Sequence, residues 1–240
     1  MIADPGWKLA AAACVFIPFA GLFCAGIADM RLQLFCRAIW RGSRARREVA
    51  LSFDDGPDPE TTPALLDLLA EENVRAVFFC IGDRVEAHPE IARRIVREGH
   101  LIANHTQRHS YLTNFLGARG LDSEISDAQR AIYDATGLSP RFFRSPVGLT
   151  NPHFAKVLRA QRVLLIGWDF RALDRGRSAE AIARRVLRRT KPGSIIVLHD
   201  GGAPRENLLR AVRLVMEGLR KRRFRMVRLD RLMRHHAYRE

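Results

Sequence analysis

Beyond residue 47, short runs of β-branched and aromatic residues alternate with longer segments in which apolar residues recur every three or four positions. The short runs predict strands, and the longer segments predict amphipathic helices. We predict strands at 49–53, 77–81, 101–104, 142–144, 163–168, 194–198 and 224–228, and helices starting near 61 and at 89–98, 122–136, 152–160, 178–190 and 205–221. This alternation indicates an α/β fold with a parallel sheet, either doubly wound or closed. Because roughly 190 residues are short for an eight-unit barrel, we expect a distorted (β/α) barrel of about seven strands.

The amino-terminal segment has a different pattern. Residues 9–28 are 20 residues without a charge, enough for a helix to cross a hydrocarbon core of about 30 Å. Pro18 and Gly21 lie in its middle, so a re-entrant insertion is one alternative. A cleaved signal peptide is another. We expect a retained membrane anchor, single-pass or monotopic.

Six arginines follow the apolar segment, interleaved with apolar residues that share one helical face: Leu32, Phe35, Cys36, Ile39 and Trp40. This pattern predicts an amphipathic basic helix on an anionic membrane surface. A charged helix packed on the following domain is the alternative. We therefore divide the chain into 1–47, the anchor with this juxtamembrane helix, and 48–240, the α/β domain. The arginines favour a cytoplasmic domain by the positive-inside rule. That rule is statistical, and the side of the membrane stays open.

Composition narrows the function classes. Hydrophobic residues make up 47% of the chain, which argues against disorder. Lys and Arg total 40 against 26 Asp and Glu, a net charge of +14. The basic residues are scattered through predicted helices without interleaved exposed aromatics, so we expect no nucleic-acid partner. The four cysteines fit neither a disulfide framework nor a cysteine zinc site.

Two carboxylates follow the first predicted strand. Asp54 and Asp55 lie at its carboxyl end, where the functional groups of parallel sheets collect. Adjacent ionised carboxylates are buried together only when a cation or a proton is shared. A metal ion is the economical explanation, with one Asp as ligand and the other as base. An exposed acidic turn is the alternative, because Asp-Asp-Gly-Pro is also good turn sequence.

Two histidines follow the third predicted strand. His105 and His109 are four residues apart, and on a helical turn such a pair can bind one divalent ion. One Asp and two His form a three-ligand set with open positions for water and substrate, which is typical of a catalytic site.

Further strand ends carry polar residues suited to catalysis. His199 follows strand 194–198, where it can act as a general acid, a further metal ligand or a core histidine. Arg144 ends another strand and can pair with Asp54. Either Asp169 or Asp174 can orient His199.

Taken in order, these motifs resemble those of the NodB-type polysaccharide deacetylases. The resemblance covers about residues 48–235 and rests on Leu51-Ser52-Phe53-Asp54-Asp55-Gly56-Pro57, His105-Thr106-Gln107-Arg108-His109, Arg144-Ser145-Pro146 and Leu198-His199. It implies a distorted seven-stranded (β/α) barrel and metal-dependent hydrolysis of N-acetyl groups on amino sugars.

The resemblance also implies a role for each matching residue. Asp54 would be the general base, and Asp55, His105 and His109 would bind the metal, zinc or alternatively cobalt, manganese or nickel. Arg144 would orient Asp54, Asp174 would orient His199, and His199 would be the general acid. The backbone N–H of Val147 would stabilise the oxyanion. Leu198 would be the wall of the substrate pocket for the acyl methyl, with Pro146 beside it. Arg175, where the chain departs from the family, is a further candidate for the pocket wall.

The chain departs from the family pattern in ways that bear on the substrate. Val147 stands where an aromatic residue is usual, and Arg171 and Arg175 replace an Asp and a Trp. With Arg177 nearby, these changes favour an anionic substrate group over a long neutral glycan. We predict removal of an N-acyl group, N-acetyl or alternatively formyl, from a membrane-proximal amino-sugar glycolipid or a cell-envelope glycan. A catalytically inactive, membrane-anchored module that binds glycan or lipid is the alternative.

Overall fold

The structure is a computed structural model that describes residues 6–239, with side chains from residue 11 onward. In this part of the chain one parallel sheet contains seven strands in the order β1-β6-β5-β4-β3-β2-β7, and a further strand, β8, pairs with the start of β2. The strands are β1 (Ala38–Ile39), β2 (Glu48–Gly56), β3 (Val77–Cys80), β4 (Leu101–Asn104), β5 (Phe142–Phe143), β6 (Leu164–Ile166), β7 (Ile195–His199) and β8 (Arg225–Met226).

The two edges of the seven-strand order approach each other. Arg41, just after β1, forms an antiparallel bridge with Ser194, just before β7. The N–H of Gly42 donates to the carbonyl of Gly193 at 2.7 Å. The sheet is therefore curled into a distorted barrel, which confirms the predicted fold. Each of the seven predicted strands has its counterpart, and β1 is an additional one.

Most helices connect the strands along the outside of the sheet, whereas the first precedes β1 and the last follows β8. They are α1 (Gly6–Ala28), α2 (Thr62–Glu71), α3 (Gly82–Ala87), α4 (Pro89–Arg97), α5 (Ala118–Thr136), α6 (Phe154–Ala160), α7 (Ala179–Arg189), α8 (Arg205–Lys221) and α9 (Leu229–Met233). Short 3-10 turns lie at Met30–Leu32, Tyr111–Phe115 and Pro146–Gly148. The six helices predicted after residue 60 correspond to α2 and α4–α8, whereas the short α3 and α9 were not predicted.

Successive residues of the central strands face opposite sides of the sheet. In β2, Leu51 and Phe53 lie in the core between the sheet and the outer helices, whereas Ala50 belongs to the cluster inside the barrel. Both faces are buried, which explains why the strands read as continuous apolar runs. Residues at the inward positions near the strand ends are the ones that reach the site.

The amino-terminal helix α1 is continuous through Pro18, which contradicts the re-entrant alternative. Its segment Ala11–Ala28 is long and apolar enough to cross a membrane, and only 6% of it is buried. The last turn docks on the domain, where a Cβ at Gly26 would lie 2.5 Å from Leu34 Cδ2. Thr150 donates from its N–H and its hydroxyl to the carbonyls of Ile27 and Gly26, at 3.1 and 3.0 Å.

The prediction of a juxtamembrane amphipathic helix is wrong. Gln33 ends the first 3-10 turn at a φ of 52°, and residues 33–47 contain no α-helix. Instead, β1 pairs in parallel with β6, and Met30 and Cys36 are buried in the adjacent core. Part of this apolar segment thus packs on the barrel, whereas Leu32 and Leu34 stay exposed, at 54% and 45%. The sheet takes residues from before position 47, and the division of the chain there stays a prediction.

Candidate active site

The end of β2 directs two adjacent carboxylates to one cavity. Regular strand geometry would turn Asp54 and Asp55 to opposite faces. Asp55 instead has a φ of 71°, and the register between β2 and β3 shifts between Asp54 and Gly56. This irregularity re-aims the second side chain, as β-bulges beside active sites do, so that both aspartates line the same cavity.

Asp54 is held by a fully buried arginine at the end of β5. The Nη1 of Arg144 donates to Asp54 Oδ1 at 2.5 Å and to Ser52 Oγ at 2.9 Å. The guanidinium carbon lies 3.9 Å from the ring centre of Phe79, and Nε donates to the carbonyl of Ile166 at 3.3 Å. These charge-assisted contacts fix the carboxylate of Asp54 beside the cavity.

Asp55, His105 and His109 converge on one point. Their ligand atoms all lie within 4.8 Å of one another, and Asp55 Oδ1 is 3.3 Å from Nε2 of each histidine. Among the described residues this buried oxygen has no hydrogen-bond partner. A carboxylate oxygen left without a donor between two imidazole nitrogens fits a divalent cation, and the donor set is one that zinc prefers. These three residues can therefore hold a metal ion.

The two histidines do not lie on a helical turn, so that part of the prediction is wrong. Residues 105–109 form an irregular loop, with Thr106 and His109 at φ values of 67° and 54°. His105 Nδ1 lies 2.8 Å from the carbonyl oxygen of Arg144. That contact assigns the proton to Nδ1 and leaves the Nε2 lone pair for a ligand. Burial, and secondly the charge of His105, lower the pKa of His109 to about 4, so its imidazole is neutral, as a metal ligand must be.

Arg175 contacts the same aspartate from the mouth of the cavity. Its Nη2 donates to Asp55 Oδ2 and, at 3.2 Å, to the carbonyl of Gly201. Burial alone would raise the pKa of Asp55, but the adjacent imidazole of His105, aided by His109 and His199, holds that pKa below its ordinary range. The side chain of Arg175 is 55% exposed, so it can also reach a bound molecule.

His199, at the end of β7, is oriented by Asp174. Asp174 Oδ1 lies 2.8 Å from His199 Nδ1, and Oδ2 accepts from the backbone N–H of His199 at 2.7 Å. Burial opposes protonation of the imidazole, but the hydrogen bond and charge of Asp174, aided by Asp54 and Asp55, raise the pKa of His199. Asp169, the other candidate from the sequence, instead accepts from Ser194 Oγ at 2.8 Å.

One cavity of about 440 Å³ is lined by Asp54, by the candidate metal ligands and by the pair of His199 and Asp174. Val147 is also part of its wall, 38% exposed, at a φ of 57° that β-branched residues rarely adopt. Such backbone strain is typical of functional sites. Arg171 and Arg177 complete a basic rim with Arg175. The cavity thus combines a candidate metal site, a carboxylate, a carboxylate-bound imidazole and a cationic mouth.

Comparison with known proteins identifies the family. The family model described as polysaccharide deacetylase matches residues 41–164. A peptidoglycan-N-acetylglucosamine deacetylase of Bacillus cereus is 32% identical over 82% of this chain and 92% of its own length. The chain belongs to the polysaccharide deacetylase family. The family resemblance expected from the motifs is confirmed.

A second relative and a solved structure support the assignment. A chitooligosaccharide deacetylase of Sinorhizobium fredii is 37% identical over 72% of this chain and 80% of its own length. The crystal structure of a peptidoglycan N-acetylglucosamine deacetylase superposes with a TM-score of 0.80 at 32% identity, covering 84% of this chain and 95% of that one. The similarity extends over most of the barrel.

Two predicted pocket residues of this deacetylase-family chain do not line the cavity. Leu198 is buried in the core between the sheet and the outer helices, because side chains alternate along β7 and those of Val197 and His199 face the cavity. On this strand Val197, and not Leu198, therefore borders the cavity. Pro146 is buried in its 3-10 turn, where its carbonyl accepts from Leu149 N–H at 3.3 Å, and its neighbours Ser145 and Val147 line the cavity instead.

The structure shows aromatic residues in the cavity wall that no sequence motif predicted. Tyr111 and Trp168 both border the cavity, and the side chain of Tyr111 is 75% exposed. A side chain at Gly148 would meet the Trp168 ring at 2.4 Å, so this glycine lets the indole approach the turn. Tyr111 and Trp168 thus partly replace the aromatic surface that was expected to be lost. No local motif marks either residue as part of the site.

Proposed function

We propose that this chain is a metal-dependent hydrolase that removes N-acyl groups, foremost N-acetyl, from amino sugars of a membrane-proximal glycolipid or a cell-envelope glycan. The observation that carries this proposal is the buried, donor-free Oδ1 of Asp55 at 3.3 Å from both imidazoles, with the arginine-held carboxylate of Asp54 beside it. Asp55, His105 and His109 would hold the ion, zinc or alternatively cobalt, manganese or nickel. When bound there, such an ion supplies a Lewis acid that polarises the amide carbonyl and acidifies water.

The chain's own groups have separate roles in this reaction. Asp54 accepts the proton of the attacking water, and Arg144 fixes its position. The backbone N–H of Val147 donates to the developing oxyanion. His199, held by Asp174, donates a proton to the departing amine. The tetrahedral intermediate collapses to products only when the leaving amine is protonated. Val197 borders the space for the acyl methyl.

The substrate class follows from the surroundings of the cavity. Relatives are named for peptidoglycan N-acetylglucosamine and chitooligosaccharides, which supports an N-acetylated amino sugar. The exposed apolar helix α1 supports a membrane location for the chain. The arginine rim of the cavity supports an anionic group on the molecule that binds there.

Acetate release tests the proposed function. The full-length chain in detergent, loaded with zinc, is expected to release acetate from N-acetylchitooligosaccharides or N-acetylated peptidoglycan, and a chelator should abolish the release until zinc is added back. Metal analysis should give one ion per chain. If the chain binds no metal and hydrolyses no substrate, and Arg175 stays bound to Asp55, the protein would instead be the inactive glycan- or lipid-binding module.

The alkaline side of the pH profile tests the pair of His199 and Asp174. A general acid must start protonated, so activity falls as pH rises through the pKa of His199. Asp174 raises that pKa, and Asp174→Asn should therefore move the alkaline limb of kcat/KM to lower pH. The lost orientation should also reduce kcat about 10- to 100-fold. Asp169→Asn is the matched control, since Asp169 does not contact His199, and an equal shift in both variants would contradict the assignment.

A further inference from the structure

A second cavity lies between the foot of α1 and the carboxyl end of α7. Its volume is about 430 Å³, and its wall includes Asp29, Met30 and Arg31, directly after α1, and Arg185 and Arg189 of α7. Trp168, Arg171 and Leu173 line both this cavity and the active-site cavity. The two spaces are therefore neighbours that share one wall.

The second cavity carries cationic groups without acidic partners. Asp29 is paired with Arg31, and Asp169 with Arg44, so both acidic residues of the wall are already compensated. Among the described residues, by contrast, none of Arg171, Arg185 and Arg189 forms an ion pair. Arg171 Nη2 donates to the carbonyl of Val147 at 3.0 Å and Arg185 Nε to the carbonyl of Arg171 at 2.9 Å. Arginines that are fixed by neutral acceptors and lack a counter-ion favour a phosphate.

The position of this cavity along α1 matches the level of lipid headgroups. The apolar segment Ala11–Ala28 has 18 residues, which at about 1.5 Å each is close to the thickness of a hydrocarbon core. The cavity wall begins with Ala28 and Asp29, at the end of that segment. If α1 spans a bilayer, the cavity lies where phosphates of membrane lipids are found.

A loop beside the active site also exposes apolar side chains near the foot of α1. Tyr111, Leu112 and Phe115 are 75%, 67% and 82% exposed. The same loop is tied to the segment on which α1 docks, because Asn151 Nδ2 donates to the carbonyl of Asn114 at 2.8 Å. Exposed aromatic and aliphatic residues at this place are typical of contact with a membrane interface.

We propose that the cavity at the foot of α1 binds the phosphate of a lipid-linked amino sugar, while the acylated sugar occupies the active-site cavity. This inference rests on the proposed function and specifies its substrate: the sugar is joined through a phosphate to a lipid that stays in the membrane beside α1. The wall shared by the two cavities places sugar and phosphate side by side, as a short glycosyl phosphate requires.

Substrate preference tests the inference with a matched pair of variants on one helix. The substrates are N-acetylglucosamine joined to a long-chain alcohol through a phosphodiester, and the neutral N-acetylglucosaminide of the same alcohol, both in neutral detergent micelles. The wild-type chain should prefer the phosphodiester, measured as a ratio of kcat/KM values. Arg185→Ser/Arg189→Ser should lower that ratio about tenfold or more, since two charge-assisted contacts are lost. Arg184→Ser/Arg188→Ser removes the same charge from α7 outside the cavity and should keep the wild-type ratio.

A binding measurement separates this inference from the proposed function. Broadening of the ³¹P resonance of the phosphodiester lipid by the full-length chain reports binding without hydrolysis. If no substrate is deacetylated and the broadening still depends on Arg185 and Arg189, the phosphate site stands and the hydrolase proposal fails. If deacetylation proceeds with no preference for the phosphodiester, or both double variants lower the ratio equally, the phosphate site is overturned. Free N-acetylglucosamine 1-phosphate can be tested as a competitor for binding of the phosphodiester lipid. If it competes as strongly as the lipid-linked compound does, the phosphate need not come from a membrane lipid, and that part of the inference is overturned.

Discussion

Asp54→Asn is expected to reduce kcat for deacetylation by about 10²- to 10⁴-fold while the chain keeps its metal, because a positioned general base contributes on that scale. The amide has nearly the same shape and still accepts the hydrogen bond that Arg144 Nη1 makes at 2.5 Å to Asp54. It cannot accept a proton from water, so the chemical step is lost in the folded chain, although the buried Arg144 also loses its counter-charge and the fold is less stable. The measurements are kcat on a soluble N-acetylchitooligosaccharide and the metal content of the purified full-length chain.

Asp55→Asn is the matched comparison, since it makes the same isosteric change one residue further on. Asp55 Oδ1 is the oxygen near both imidazoles, and an amide in its place is a poor ligand without charge. We expect this variant to lose bound metal and to recover part of its activity in excess metal, which Asp54→Asn does not. Equal metal loss in both variants, or a kcat near the wild-type value for Asp54→Asn, would contradict the division of roles between the two aspartates.

The place of the site was predictable because strand ends in a parallel sheet meet at one edge. Asp54, His105, Arg144 and His199 each lie at the end of a strand or directly after one, and each strand is marked by a local apolar run. The sheet register then pairs Asp54 of β2 with His199 of β7. Local sequence marks the strands and their ends, and only the order of neighbouring strands is needed in addition to bring these groups together.

The backbone conformations inside the site were not predictable from local patterns. Asp55, His109 and Val147 all have positive φ values, which L-residues disfavour. A histidine pair four residues apart suggests a helical turn by spacing alone. In the fold, contacts from distant segments, such as the carbonyl of Arg144 on His105, select an irregular loop that still brings the imidazoles together.

Two other differences have distinct physical origins. β1 has two residues, and its partners Leu165 and Ile166 lie far along the chain, so no local periodicity marks it as a strand. The orientation of Leu198, by contrast, could have been predicted, because side chains alternate between the two faces along a strand such as β7. Once His199 is placed toward the cavity, Val197 must face it too and Leu198 must face the outer helices.

Arg144→Met is expected to destabilise the fold by about 3–5 kcal/mol, because it leaves a buried carboxylate without its counter-charge. Arg144 is fully buried and Asp54 is 3% exposed, so water cannot replace the guanidinium. For a chain of this size the loss corresponds to a fall in Tm of about 10 °C, measured by thermal unfolding of the full-length chain in detergent. The backbone carbonyl that accepts from His105 Nδ1 is retained, so metal binding should persist in the folded fraction.

Two comparisons separate the buried charge from a general effect of removing arginine. Arg213→Met removes a surface partner of Glu71 and Glu72 whose side chain is 50% exposed, and it should cost less than about 1 kcal/mol. In Arg144→Met/Asp54→Asn the uncompensated charge is gone, so the double variant should be more stable than Arg144→Met alone. If the second substitution lowers Tm further, the cost comes from lost packing against Phe79 and Trp168, the rings that flank the guanidinium, and not from an unpaired Asp54. The ion pair would then position the base without being needed to keep it buried.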